Sequence, residues 1–185
     1  LGIPGLHNVY NALAAIAVSL ELGVKFPVIQ EALLEFSGVQ RRFQVRSEKR
    51  GITWVDDYGH HPTEIKTTLK TAKEVWQRRL VVVSQPHRYS RTRDLFKDFM
   101  VTFYDADVLI VTDIYPAGEN PIPEVSGQRF YEGLRDYGYK DVAHIPQVDD
   151  VKAHLKGVIR SGDILLTLGA GDVWKAGESF MRELP

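Results

Sequence analysis

Apolar positions change their rhythm once along the chain. From Asn8 to Phe36 they recur at helical spacing. "NVYNALAAIAVSLELGV" is alanine-rich and runs to Gly23, while "FPVIQEALLEF" opens on Pro27 and repeats at Val28, Ala32, Leu33 and Phe36. Both stretches predict helices, the first stopped by glycine and the second begun by proline. At Ser37 the pattern shifts. "FQVRSEKRGITWVDDY" predicts two strands around a turn at Lys49, Arg50 and Gly51. "LVVVSQ" (Leu80 to Gln85), "DVLIVTDI" and "DILLTL" are continuous apolar runs, and a run that does not alternate predicts a strand buried on both faces. Helical spacing fills the gaps. Thr63 to Arg78 carries a stripe of Ile65, Leu69, Ala72 and Trp76, and Thr92 to Tyr104 presents Leu95, Phe96, Phe99, Met100 and Phe103. Further helices are predicted over Glu124 to Arg135, over Asp149 to Ile159 and after "GAGD", with a short strand near "VAHI".

Repeated strand–helix units place the chain in the α/β class, as a Rossmann-like, mostly parallel sheet with helices on both faces. Residues 1–36 stand outside that alternation. Two short helices cannot build a core of their own, so they are expected to be the remnant of another domain, with a boundary near Ser37 and Gly38. The chain begins at Leu1 without a methionine, which fits a cut or processed chain.

Composition narrows the classes. A formal net charge of -1 supplies no basic field for nucleic acid. The absence of cysteine excludes disulfides and thiolate metal sites and makes a cytoplasmic home the default. No apolar run reaches the roughly 18 residues of a membrane-spanning helix.

In open α/β sheets, ligands bind beyond the carboxyl ends of the strands. Here those ends read "DDYGHHP" (Asp56, Asp57, Tyr58, His60, His61), "SQPHRYSRTRD", "TDIYPAGE" and "GAGD". Arg88 and Arg91 lie three apart where a helix begins. A guanidinium fork suits a carboxylate or phosphate, and a helix start adds amide donors. Such a charge-assisted bond contributes about 1.5–3 kcal/mol, against roughly 0–1 for a surface ion pair. On spacing alone both roles stand. A metal site in "DDYGHHP" is disfavoured, because adjacent histidines point apart on an extended chain. "GAGD" lacks a full GxGxxG, so its glycines are expected to serve a tight turn. No GxxxxGK[ST] occurs, so any loop cradling ATP phosphates lies outside this chain.

Five segments, "GLHNVYNALAAIAV", "GVQRRFQV", "VDDYGHHPTEI", "QPHRYSRTRDL" and "LTLGAGDVW", supported by "TDIYPAGE", cover nearly the whole chain. In that order they resemble the Mur ligase family of peptidoglycan precursor synthesis. "PHRYSRT" resembles the branch that joins L-alanine to UDP-N-acetylmuramate. The resemblance implies a cytoplasmic bacterial enzyme of three domains, for the UDP-sugar, for MgATP and for the amino acid. Residues 37–185 would be the last of these, and residues 1–36 the closing helices of the central ATP-binding domain. ATP with Mg2+ would be bound mainly by the missing domains, and the piece alone would be inactive. The implied reaction is amide formation through an acyl phosphate.

By the same resemblance His7, Asn8 and Asn11 lie on the adenine side. Arg42, with Arg41 the less certain neighbour, meets the nucleotide phosphates. Asp57, beside Asp56, accepts from ribose. Tyr58, His60, Arg88 and Arg91 form the alanine pocket, the arginines holding its carboxylate. Arg42 and His60 are the catalytic candidates, although no general base is assigned; Glu119 and Asp172 have weak claims, and no metal ligand is expected. "DDYGHHP" would then face the nucleotide through Asp57 and the amino acid through Tyr58 and His60, coupling ATP binding to domain closure. UDP-N-acetylmuramate, L-alanine and ATP are the implied partners, without nucleic acid or membrane, and a homo-oligomer is left open. Two alternatives remain: the sister ligase that attaches recycled peptides to UDP-N-acetylmuramate, and a stand-alone nucleotide-binding module.

Overall fold

The computed structural model describes residues 2–185. Two compact units divide between Gln40 and Arg41. The first holds α1 (Leu6–Glu21) and α2 (Phe26–Glu35). Gly23, at φ 80°, closes α1 by donating to Leu20 O at 2.9 Å, and Pro27 sits in the first turn of α2. Only Ala12 and Ile29 are buried apolar residues of these helices, while Leu6, Tyr10, Leu13, Leu22, Phe26 and Leu34 are exposed. So little buried surface does not make a core.

The second unit, Arg41–Pro185, begins with a hairpin of β1 (Gln44–Lys49) and β2 (Ile52–Asp57). Arg50 and Gly51 both take positive φ (50° and 75°), as a two-residue type I′ turn requires. There follow α3 (Pro62–Trp76), β3 (Leu80–Ser84), α4 (Tyr89–Asp94), α5 (Phe96–Met100), β4 (Val108–Val111) and α6 (Gly127–Asp136). Then come β5 (Val142–His144), α7 (Val148–Val158), β6 (Ile164–Leu168) and α8 (Trp174–Glu183). The sheet order is β1-β2-β6-β3-β4-β5, with β1 antiparallel to β2 and every other pairing parallel.

Strand side chains alternate between two cores. Val55, Leu80, Val82, Leu109, Val111, Ile164, Leu166 and Leu168 join the core beneath α3, α5 and α6. Trp54, Val81, Val83, Ile110 and Leu165 join the core beneath α7 and α8. Continuous apolar runs are thus demanded by burial on both faces. After β5 the chain returns by α7 on the opposite face and inserts β6 between β2 and β3. The connections reverse direction there, and such a switch point opens a crevice at the carboxyl ends of the strands.

Two helices differ from expectation. The segment predicted over Thr92 to Tyr104 starts earlier, breaks at Leu95 (φ -106°, ψ 18°) and stops at Met100. Phe103 is nevertheless fully buried, because its turn packs on the core. The helix predicted from Glu124 starts at Gly127, since Glu124 has φ 64° and the Ser126 hydroxyl caps Arg129 N–H at 3.1 Å.

Gly177, inside α8, permits close packing on β2. A Cβ there would overlap the indole of Trp54, which is 4% exposed and donates to Thr167 Oγ1 at 3.1 Å. Gly177→Ala would gain roughly 1 kcal/mol of helix propensity. Overpacking a buried ring costs about 1–3 kcal/mol and should win. Chemical denaturation of the variant is therefore expected to show a net loss of up to about 2 kcal/mol; a gain would mean that α8 sits loosely on β2.

Candidate active site at the carboxyl rim of the sheet

Arg41 organises the rim. Its Nε donates to Asp56 Oδ2 at 2.9 Å, Nη2 to Gly169 O at 2.6 Å and Nη1 to Gly171 O at 3.1 Å. Asp56 is 1% exposed, and its other oxygen accepts from the Thr167 hydroxyl at 2.7 Å. One guanidinium thus ties the end of β2 to the glycine loop after β6. That loop packs tightly on β3. A Cβ on Gly171 would strike Gln85 Oε1 and the Tyr115 ring, and Gln85 itself bridges Asp172 Oδ1 (3.0 Å) and Val173 N–H (3.2 Å). Close approach thus requires Gly171, which has no positive φ, where a tight turn was expected; Gly169 combines a tight contact with Gln85 O and a φ of 152°.

Asp57 turns inward. Its Oδ2 accepts from Phe43 N–H at 2.7 Å; its Oδ1 accepts from Gly59 N–H at 2.7 Å and from the Thr68 hydroxyl at 3.4 Å. Burial pushes its carboxyl above the usual carboxylate range, and those donors together with Arg42 only partly offset the rise.

The two histidines part company. His61 is exposed and caps α3: its Nδ1 accepts from Thr63 N–H at 3.3 Å, while Glu64 Oε2 accepts from the N–H groups of His60 and His61 at 3.0 and 3.2 Å. His60 lies in the crevice, with Nδ1 3.0 Å from Tyr58 O. An aromatic row runs from it across the rim. Tyr58, His60, His87 and Tyr115 follow one another at ring separations of 5.5, 5.5 and 5.6 Å. The guanidiniums of Arg41 and Arg42 lie 5.1 and 5.5 Å from the Tyr58 ring centre. Arg42 is exposed, and no side chain among the described residues pairs with it.

Arg88 and Arg91 do not form a matched pair. Arg91 Nη1 folds back to donate to His87 O and His87 Nδ1, both at 3.1 Å. Arg88 is exposed, and its guanidinium has no bonded partner among the described residues. Its backbone is held at φ 71°, ψ 135°, with N–H donating to Tyr115 O at 2.9 Å. Glu119 already caps the start of α4, accepting from the Ser90 hydroxyl and N–H at 2.5 and 3.0 Å. Those bonds and the charge of Arg88 hold Glu119 below the usual carboxylate range. The helix start expected to supply amide donors to an anion is therefore occupied from within.

In the first unit, Asn8 Nδ2 donates to Pro4 O at 2.6 Å, His7 is half-buried, and Asn11 is exposed on the same helix face as Asn8. Among the described residues, no three His, Asp or Glu side chains are placed to hold a metal.

Sequence reasoning did not single out His87, Gln85 or Tyr115, although all three lie in quoted rim segments. Beyond a strand end the period-two rule lapses, and side-chain direction depends on loop dihedrals such as that of Arg88.

Residues 41–171 match the family model described as Mur ligase, glutamate ligase domain. The chain belongs to the Mur ligases. This Mur ligase chain is 56% identical over 183 residues to the UDP-N-acetylmuramate--L-alanine ligase of Geobacter sulfurreducens, covering 98% of the chain and 40% of that protein. Identity to the enzyme of the same name from Desulfosudis oleivorans is 56% over 182 residues, again 98% of the chain and 40% of the relative. Among solved structures, the UDP-N-acetylmuramate-alanine ligase of Thermotoga maritima aligns with a TM-score of 0.78 at 33% identity, over 97% of this chain and 38% of that one. The murein peptide ligase of Psychrobacter arcticus aligns at 0.70 and 26% identity, over 98% and 38%. The chain spans about 40% of the length of the curated relatives it matches.

Proposed function

We propose that the full-length protein joins L-alanine to UDP-N-acetylmuramate at the expense of ATP, and that this chain supplies the amino-acid pocket and part of the nucleotide site. Residues 37–185 are then the amino-acid domain, and residues 1–36 close the ATP-binding domain. One observation carries the assignment: Arg88, whose guanidinium has no bonded partner among the described residues, follows His87 in a row of hydrogen-bonding rings at the switch point of the sheet, and its charge is felt by the His87 ring. Such a site offers a cation for a carboxylate and ring nitrogens for an amine.

The muramate carboxylate takes the γ-phosphoryl group, the amine of L-alanine attacks the acyl carbon, the C–N bond forms and phosphate leaves. Arg88 would hold the alanine carboxylate and so aim the amine. Tyr58 and His60 would line the same pocket. Arg42, exposed beside Tyr58, would meet the nucleotide phosphates. His7, Asn8 and Asn11 would face adenine. A ribose hydroxyl at Asp57 would have to compete with the Phe43 and Gly59 amides. Among the described residues no three His, Asp or Glu side chains come together for a metal ion, so the magnesium ligands would lie in the rest of the full-length protein.

The peptide-adding alternative has less support, since the Thermotoga alanine ligase is closer in identity (33%) than the murein peptide ligase (26%). A substrate panel decides. With ATP and UDP-N-acetylmuramate, the full-length protein is expected to yield the alanyl amide by mass spectrometry and little product from the cell-wall tripeptide. Preferential use of the tripeptide would overturn the proposal.

A further inference from the structure

His87 is the residue of the rim whose environment most restricts its chemistry. Arginine only donates, so the contact from Arg91 Nη1 to His87 Nδ1 at 3.1 Å requires a bare Nδ1. The proton of the neutral ring must then sit on Nε2. The groups facing the ring keep it neutral. Burial, then His60, Arg91 and Arg88, lower its pKa to about 4, and Glu119 alone opposes them. Tyr115, stacked at 5.6 Å and 8°, fixes the plane of the ring. No described residue accepts from Nε2–H, which leaves that donor free for a ligand.

His60 shows the complementary arrangement. A carbonyl only accepts, so the 3.0 Å contact of Nδ1 with Tyr58 O places a proton on Nδ1, and the Nε2 of the neutral ring is a bare acceptor. Two imidazoles 5.5 Å apart thus carry one donor and one acceptor nitrogen that no described residue engages. An α-amino acid carries the matching pair on a single carbon, a carboxylate that accepts and an amine that donates.

We infer that His87 contacts the substrate: its Nε2–H donates to the carboxylate of the incoming amino acid, opposite the bare Nε2 of His60, and Arg91 is the positioning residue that fixes its tautomer. This holds only if the rim takes an amino acid, as proposed above. Arg88 remains the direct cation, while Arg91 acts through the imidazole it holds.

Two measurements on the full-length protein test the inference. Nitrogen-15 spectra of the histidines report where the His87 proton resides. The Nε2–H form is expected across about pH 6 to 8, and Arg91→Ala should mix the tautomers and raise the titration midpoint, because a facing cation has gone. An Nδ1–H form or an imidazolium in the unmodified protein overturns the inference and leaves the ligase assignment standing. In kinetics, His87→Ala should raise the KM for L-alanine about 10–100-fold at unchanged KM for ATP. His87→Gln keeps an N–H near the Nε2 position and should restore most of that loss. Arg91→Ala should weaken alanine binding in the parent but add little in the His87→Gln background, where no tautomer needs fixing. An unchanged KM in His87→Ala, or an Arg91→Ala effect of the same size in both backgrounds, overturns the inference. Failure of the unmodified protein to use L-alanine at all overturns the function itself, and the inference with it.

Discussion

Arg41→Ala is expected to be the most destabilising single substitution at the rim, at about 3 kcal/mol by chemical denaturation. Its loss strands Asp56, 1% exposed, with one oxygen unpaired, and releases the carbonyls of Gly169 and Gly171. Removing one partner of a buried pair costs about 3–5 kcal/mol. The arginine side chain keeps 21% of its surface in solvent, so the lower end applies. Arg41→Lys should recover little, because one ammonium cannot reproduce a fork that meets three acceptors. Arg42→Ala provides the control. With no bonded partner among the described residues, a solvent-facing contact over Tyr58 and a minor charge effect on Asp57, its removal should cost under about 1 kcal/mol. Equal effects at the two positions would sink the clamp assigned to Arg41.

Arg88→Gly should separate stability from function. At φ 71°, ψ 135° an arginine occupies a sparsely populated backbone region, which costs of the order of 1–3 kcal/mol. Glycine adopts that conformation without a Cβ penalty, at a price of about 0.5–1 kcal/mol in chain entropy. The variant should therefore be as stable as the parent, or more stable by about 1 kcal/mol. Its KM for L-alanine in the full-length protein should nevertheless rise about 10–100-fold, matching the loss of one charge-assisted bond. Loss of both stability and binding would instead make Arg88 a structural residue.

Much of the fold was legible because burial on two faces leaves a mark in the chain. Val81, Val82 and Val83 could only be consecutive in a strand covered from both sides, and the stripe of Ile65, Leu69 and Ala72 could only face a core. The break at Leu95 was not legible, since Phe99 and Phe103 continue the helical spacing although the turn after Met100 is what buries Phe103. The site was legible to the level of segments and no further. Adjacent residues of one type diverged: Arg41 entered the frame while Arg42 stayed in solvent, and His60 faced the crevice while His61 capped α3. Arg88 and Arg91 share a helical spacing, yet one is open and the other holds His87. Loop dihedrals decide such outcomes, among them φ 57° at Arg41 and 71° at Arg88, and no local pattern encodes them.

The central claim is that Arg88 grips the substrate by its acid group. L-alaninamide lacks that group and keeps the amine, so comparing it with L-alanine in the parent and in Arg88→Gly tests the claim most directly. The parent should prefer L-alanine by a factor of about 10–100 in kcat/KM, and in the variant that preference should shrink about tenfold or more. An equal preference in both proteins would contradict it.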